Sequence, residues 1–399
     1  MTLLLATSTY SNTLLAIAGL TARYGPKFQV MSKRLFIFSI ALLLTLALGC
    51  TKQSHLDGGT GGAFPVPGEQ KISIPSPLVA PSTKAWAGEM PLNYSTDESF
   101  GVYALYYPTG NFAGWNNTPG SMTYIDGAEF SYNSSINDTS EGSGAWSANP
   151  GYYWPKGGQM TFAAWSPYRA KNDGTTSYGQ AGLQLTNFTT ADKGSEQYDL
   201  LYSERVYNKA NSIGTSAQYD GIDLLFRHAL TSLHFTACSS VSTANIRISK
   251  IVIYDIYKSG DFNENVSETK PSTYSSSPVW SFDGKAKYTE ASPLVVYEDN
   301  SGIAAPVLPL QGSTPLAVGL ALPIPQDITS AKMKVYYNVQ LGSAEPVPTV
   351  SQALELSSGT VTQWNRQTRY TYKLILGAQQ IRFSVDVRGW SDSDNTEIK

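Results

Sequence analysis

Cysteine and histidine are both scarce in this chain of 399 residues, which has two of the first and three of the second. A single pair, Cys50 and Cys238, cannot build a disulfide framework. His55, His228 and His234 stand at spacings that no common metal motif uses, and no cysteine or carboxylate cluster joins them. No metal and no cofactor is expected. Charge is also thin: charged residues make up 15%, with Lys+Arg 28 against Asp+Glu 31, so a polyanion finds no basic surface and no nucleic-acid partner is expected. There is no G-x-S-x-G elbow, no phosphate loop and no dinucleotide fingerprint, and the chain is not read as an enzyme. The apolar run at 35–48 falls short of the roughly 18 residues that span a bilayer, which disfavours a transmembrane helix.

Aromatic residues, by contrast, are plentiful, at 12% with Tyr 25 and Trp 8. Large half-polar side chains at that density mark a β-rich extracellular chain and exclude disorder throughout. Residues 31–50 read MSKRLFIFSIALLLTLALGC, with Lys33 and Arg34 ahead of the apolar run and Gly49-Cys50 closing it. That order is an export signal ending in a lipidation cysteine, so Cys50 is the expected acylation site. Ala47 stands three before the cysteine, where bacterial lipoboxes usually carry Leu. Residues 1–30 add neither a charge cluster nor a cleavage pattern, which makes Met31 a candidate start. Removing residues 1–49 takes away Arg23, Lys27, Lys33 and Arg34 and no acid, moving the net charge from −3 to −7.

Four segments follow from this reading: a leader and lipoprotein signal at 1–49, a lipidated tether at 50–69, and two β-sandwiches at 70–215 and 216–399. The tether is rich in Gly and Pro and has no hydrophobic period. Beyond it the period is two. Ile381, Phe383, Val385 and Val387 alternate with Arg382, Ser384, Asp386 and Arg388, and Met333, Val335, Tyr337 and Val339 alternate with Lys334, Tyr336 and Asn338. Further strands are predicted at 100–107, 122–132, 160–165, 183–188, 246–257, 315–322 and 370–376, separated by Gly, Pro, Asn and Ser clusters. Strands at short spacing without helices between them argue for all-β sandwiches. The polar run 208–220 is the expected linker, and the apolar parity switches between Phe226 and Leu233, predicting a bulge or short turn at 228–232.

The motifs have an order of their own. F-G-V-Y at 100–103 is followed by Trp146, Y-Y-W-P at 152–155, T-F-A-A-W-S-P-Y at 161–168 and Y-D-L-L-Y-S at 198–203. The second half gives L-L-F-R-H-A-L-T-S-L-H-F at 224–235, L-P-I-P-Q at 322–326, Trp364 leading into Y-T-Y-K-L-I-L at 370–376, and F-S-V-D-V-R-G-W at 383–390. In this order behind a lipobox they resemble the fimbrillin family (Mfa-like fimbrillins) of Bacteroidales.

That resemblance implies two tandem transthyretin-like antiparallel β-sandwich domains in an outer-membrane lipoprotein that serves as anchor, tip or stalk subunit of surface fimbriae. Its partners would be other fimbrial subunits, outer-membrane lipid through acylated Cys50, and host or bacterial surface ligands. It also implies removal of an N-terminal strand by a trypsin-like protease, commonly after Arg, with a neighbour's donor strand filling the groove. The first arginine after Cys50 is Arg169, so Lys71 and Lys84 become the candidate cleavage sites and 71–79 the candidate removable strand. Ile381, Phe383, Val385 and Val387 are the candidate strand-exchange segment, and the residues after Trp390 are polar. A different reading, a surface glycan-binding lipoprotein, rests on Trp115, Trp146, Tyr152, Tyr153 and Trp154 as exposed stacking rings.

Overall fold

A computed structural model of the chain describes residues 67–75, 77–80, 92–135, 145–210, 222–267, 274–301, 305–357, 359–377 and 380–390. Among them there is no α-helix. The strands of the first part are β1 (Pro67–Lys71), β2 (Leu78–Val79), β3 (Leu92–Asn93), β4 (Phe100–Tyr107), β5 (Met122–Asn133) and β6 (Ala145–Ser147). Then come β7 (Tyr153–Pro155), β8 (Gln159–Ser166), β9 (Thr175–Gly179), β10 (Gly182–Thr189), β11 (Leu201–Ser203), β12 (Val206–Lys209) and β13 (Leu225–His228). Next are β14 (Ser232–Ser239), β15 (Ala244–Tyr254), β16 (Ile256–Tyr257), β17 (Ser259–Asn263), β18 (Val279–Ser281), β19 (Lys287–Tyr288) and β20 (Leu294–Glu298). The last are β21 (Leu316–Ala321), β22 (Lys332–Leu341), β23 (Val347–Val350), β24 (Leu354–Glu355), β25 (Thr368–Leu376) and β26 (Ile381–Gly389).

The segments predicted from alternation are strands, with ends that shift by a residue or two. One of them is cut: 246–257 breaks into β15 and β16 at Asp255, which adopts φ 60°. The parity switch has a larger cause than a bulge. β13 joins β11 and β2 in one sheet while β14 joins β21 and β25 in another, so residues 229–231 carry the chain between sheets. A change of sheet resets which face is buried, and the alternation need not stay in phase. The expected boundary at 215/216 falls in 211–221, outside the described residues.

Three apolar cores stack around these sheets. The largest sheet runs β3-β2-β13-β11-β8-β4-β5-β6, with β12 on β8. On β4, Phe100, Val102, Ala104 and Tyr106 point into the first core, and Tyr103, Leu105 and Tyr107 into the second. Burial on both faces is why this strand reads as an unbroken apolar run rather than an alternation. The second core is closed on its far side by the sheet β18-β17-β10-β9, through Tyr178, Leu183, Leu185 and Phe262. There β10 pairs with β17, so a strand before the 211–221 stretch and a strand after it share one sheet. The third core lies between β21-β14-β25-β26 and β20-β15-β22-β23.

Charges in the second core are kept only with partners, because a bare buried charge is prohibitive. Arg205 is 4% exposed. Its Nε donates to the Tyr178 hydroxyl at 2.8 Å and its Nη2 to the carbonyls of Gly179 and Gln180 at 2.8 and 3.0 Å. The guanidinium also lies 5.4 Å from the Trp115 ring centre. Across the β10–β17 seam, the buried Glu264 accepts the Leu183 N–H at 2.6 Å and the Tyr274 hydroxyl at 2.5 Å.

One contact sets the spacing of the central strands. Gly101 on β4 faces Trp165 on β8, and a Cβ built on Gly101 would lie 1.9 Å from the indole ring. The ring therefore lies flat on bare backbone. Gly127, at φ +64°, fits beside the same indole where β5 bulges opposite Tyr103. Gly101→Ala is expected to lower stability by about 1–3 kcal/mol through overpacking. Gly157→Ala, whose Cβ would meet nothing within 4 Å, should stay within about 0.5 kcal/mol. Urea unfolding of the two variants checks this.

Candidate functional site

The N-terminal segment, 72–75 with 77–80, lies across the first core; it bonds to the edge strand β6 of the largest sheet and, as β2, sits in the same sheet between β13 and β3. On one side the Ile72 N–H donates to the Tyr152 carbonyl at 2.8 Å, and Ile74 exchanges both main-chain bonds with Trp146 of β6 at 2.9 and 3.0 Å. On the other side the N–H groups of Leu78 and Ala80 donate to the carbonyls of Leu224 and Phe226 at 2.9 and 2.7 Å, with β2 parallel to β13. One segment thus ties β6 to β13.

Its side chains explain why it stays. Ile72 and Ile74 are 1% and 0% exposed, and Val79 and Ala80 are buried too. Beneath them sits an aromatic nest of Tyr94, Phe100, Trp146 and Phe226, whose ring centres lie between 5.3 and 6.3 Å apart in edge-on and tilted pairs. The Tyr94 hydroxyl is held by Ser166 Oγ at 2.6 Å, and burial pushes its pKa up. Burial of Ile72, Ile74 and Val79 contributes about 1.5–3 kcal/mol per side chain, a large share of the 5–15 kcal/mol that holds a typical domain.

The second feature is the last strand. Among the described residues β26 pairs only with β25, leaving its other edge open. Ile381, Phe383 and Val385 pack on the third core, while Val387 is 46% exposed. The two sheets of that core meet along β20 and β21, where Gly319 lies against Val296, so β26 and β23 are the edges of the opposite flank. Immediately after β26 the chain is pinned: Trp390 is fully buried in the second core and stacks on the His228 ring at 3.9 Å. His228 is in turn held by Asp199, 2.6 Å from its Nδ1.

Of the residues singled out from sequence, Lys71 is exposed at the end of β1. Cys50 and Lys84 lie outside the described residues. The set Ile381, Phe383, Val385 and Val387 shares one strand face, but only its first three members reach the core. Of the five candidate stacking rings, Trp115, Trp146 and Trp154 are 5%, 4% and 0% exposed and cannot stack on a ligand, while Tyr152 and Tyr153 are half-buried. The three tryptophans fill the second and first cores, Trp115 with Arg205 over its ring. Sequence reasoning missed the two-sided role of 72–80, since no local pattern shows that Ile74 and Leu78 reach distant strands of one sheet. Among the described residues no group of His, Cys, Asp and Glu could hold a metal ion, and no helix is long and apolar enough to cross a membrane.

The profile of the fimbrillin-like family matches residues 83–390. The chain is similar to a fimbrial protein from Bacteroides vulgatus ATCC 8482, at 16% identity and a TM-score of 0.45, with 80% of this chain and 100% of that one covered. It is also similar to a candidate cell adhesion protein from Bacteroides uniformis ATCC 8492, at 13% identity and a TM-score of 0.42, covering 80% and 99% of the two chains. No curated protein matches it.

Ile74→Ala is expected to lower unfolding free energy by about 2–5 kcal/mol, the range for truncating a fully buried aliphatic side chain. Val387→Ala should change it by less than about 0.5 kcal/mol. Denaturant midpoints measured at equal slope separate the two.

Proposed function

Because the chain belongs to the fimbrillin-like family, we propose that it is a subunit of an adhesive surface fimbrium, held at the outer membrane by acylated Cys50 and assembled by strand exchange. The observation that carries this reading is the seating of 72–80, which precedes the family match and bonds to both β6 and β13. Its departure would expose the main-chain groups of Trp146, Leu224 and Phe226 together with the aromatic nest. An incoming strand with apolar residues at alternate positions would restore both.

The geometry also ranks the two lysines. A cut after Lys71 frees only β1 and leaves Ile72 and Ile74 in place, whereas a cut after Lys84 detaches the whole segment. Lys84 is therefore the maturation site in this account. The strand carrying Ile381, Phe383, Val385 and Val387 serves as a docking edge, because drawing β26 out as a donor would pull Trp390 off His228 and out of the second core. An uncut chain keeps 72–80 seated and offers β26 as a docking edge, which is the behaviour of an anchor or tip. We place the division between the two sandwiches at 229–231, where the chain leaves β13 for β14.

Trypsin treatment of the folded chain is expected to yield oligomer ladders on unheated SDS gels. Lys84→Gln should abolish them and Lys71→Gln should not. Ladders formed by the Lys71→Gln, Lys84→Gln double variant would sink strand removal as the trigger.

A further inference from the structure

A cavity of about 470 Å³ opens on the surface, walled by β16 and β18 and floored by the extended segments around Asp327 and Gln363. Its volume lies in the range of small-molecule sites. One wall is aromatic. Tyr257 and Phe282 stack with ring centres 4.4 Å apart at 18°, and Trp280 stands beside them, its indole N–H donated to the Ala229 carbonyl at 3.1 Å. All three rings are half-buried, and Tyr257 is already covered by Phe282 and by the Lys287 ammonium 4.4 Å from its ring centre, which leaves Trp280 as the ring to meet a ligand.

The floor is polar, with both signs of charge. Asp327 is exposed; its Oδ1 accepts the Thr329 N–H and hydroxyl at 2.8 and 2.6 Å, which orients the carboxylate and leaves Oδ2 to accept from outside. Arg366 directs Nη1 to the Tyr202 hydroxyl at 3.1 Å and to Gln367 Oε1 at 2.6 Å, leaving Nε and Nη2 as donors. Gln363 is exposed and offers both an acceptor and a donor pair. One carboxylate and one guanidinium leave the cavity without net charge.

We propose that this cavity binds a neutral hexopyranose unit of a glycan. A pyranose ring has a face of C–H groups that stacks on the negative face of an aromatic ring, and a rim of hydroxyls that both donate and accept. Trp280, with Phe282 beside it, matches the face, and Asp327, Gln363 and Arg366 match the rim. A charged sugar would leave either Asp327 or Arg366 opposed. The rings are already fixed, so little side-chain freedom is lost on binding. The inference does not rest on strand exchange, since the cavity shares no residue with the N-terminal segment or β26.

Saturation-transfer NMR on the full chain, with the methyl glycosides of glucose, galactose and mannose as probes, tests it. Transfer to the ring C–H protons of at least one probe is expected. Trp280→Ala should weaken binding by about tenfold or more, and Gln363→Ala by a few-fold. Gln363 is a surface side chain, so its variant keeps the test decisive where Trp280→Ala fails to fold. No transfer from any probe, or transfer unchanged in Gln363→Ala and in folded Trp280→Ala, overturns the proposal. So does a proline-rich decapeptide that perturbs Trp280 fluorescence while every glycoside is silent.

Discussion

Two strands of the largest sheet, β6 and β13, would each present unpaired main-chain groups beside an aromatic core, and both are satisfied by the same short segment. Edges of this kind cannot be left bare: the groups need partners, and an open edge recruits them from other chains. The segment 72–80 supplies the bonds and fills the core with Ile72, Ile74 and Val79 at once. A fold that closes itself with a peripheral strand near its N-terminus has concentrated its closure in a piece that one cut can release. The same hydrogen bonds and apolar pockets that hold the segment would hold a replacement from another subunit.

The remainder of the molecule has packing of its own. β4 and β8 bury residues on both faces, and Trp165 resting on Gly101 locks their spacing without help from the N-terminal segment. The second core draws side chains from both ends of the chain, from Tyr103 to Trp390, and the β10–β17 pairing runs a sheet across the seam. Arg205 and Glu264 satisfy their charges there with main-chain groups and tyrosine hydroxyls. The N-terminal segment shares the first core with β4 and β8, whereas the second core takes no side chain from it. Trp390 belongs to that second core.

Much of this was legible in the sequence, for identifiable reasons. Period-two alternation marked β22, β25 and β26, and 100–107 was marked as a strand, its burial on both faces coming only from the sheet it joins. The parity switch after Phe226 was also real, but alternation records only which face is buried, so a change of sheet looked like a bulge. Core filling was the preferred reading of Trp115, Trp146 and Trp154 and all three are buried, but which core each fills was not legible, because a tryptophan in a turn-rich stretch names no partner. The pairing of one segment with two distant strands is a property of topology, and so is the cavity that joins Trp280 to Gln363. Residues far apart in the chain meet there, and no local pattern announces it.

The central claim is that maturation removes 72–80 by cutting after Lys84, and the N-terminal sequence of the subunit within assembled fimbriae from native envelopes tests it most directly. The account predicts a chain beginning at Ala85. An assembled subunit that begins at acylated Cys50 or at Ile72 would still hold Ile74 against Trp146 and would contradict it.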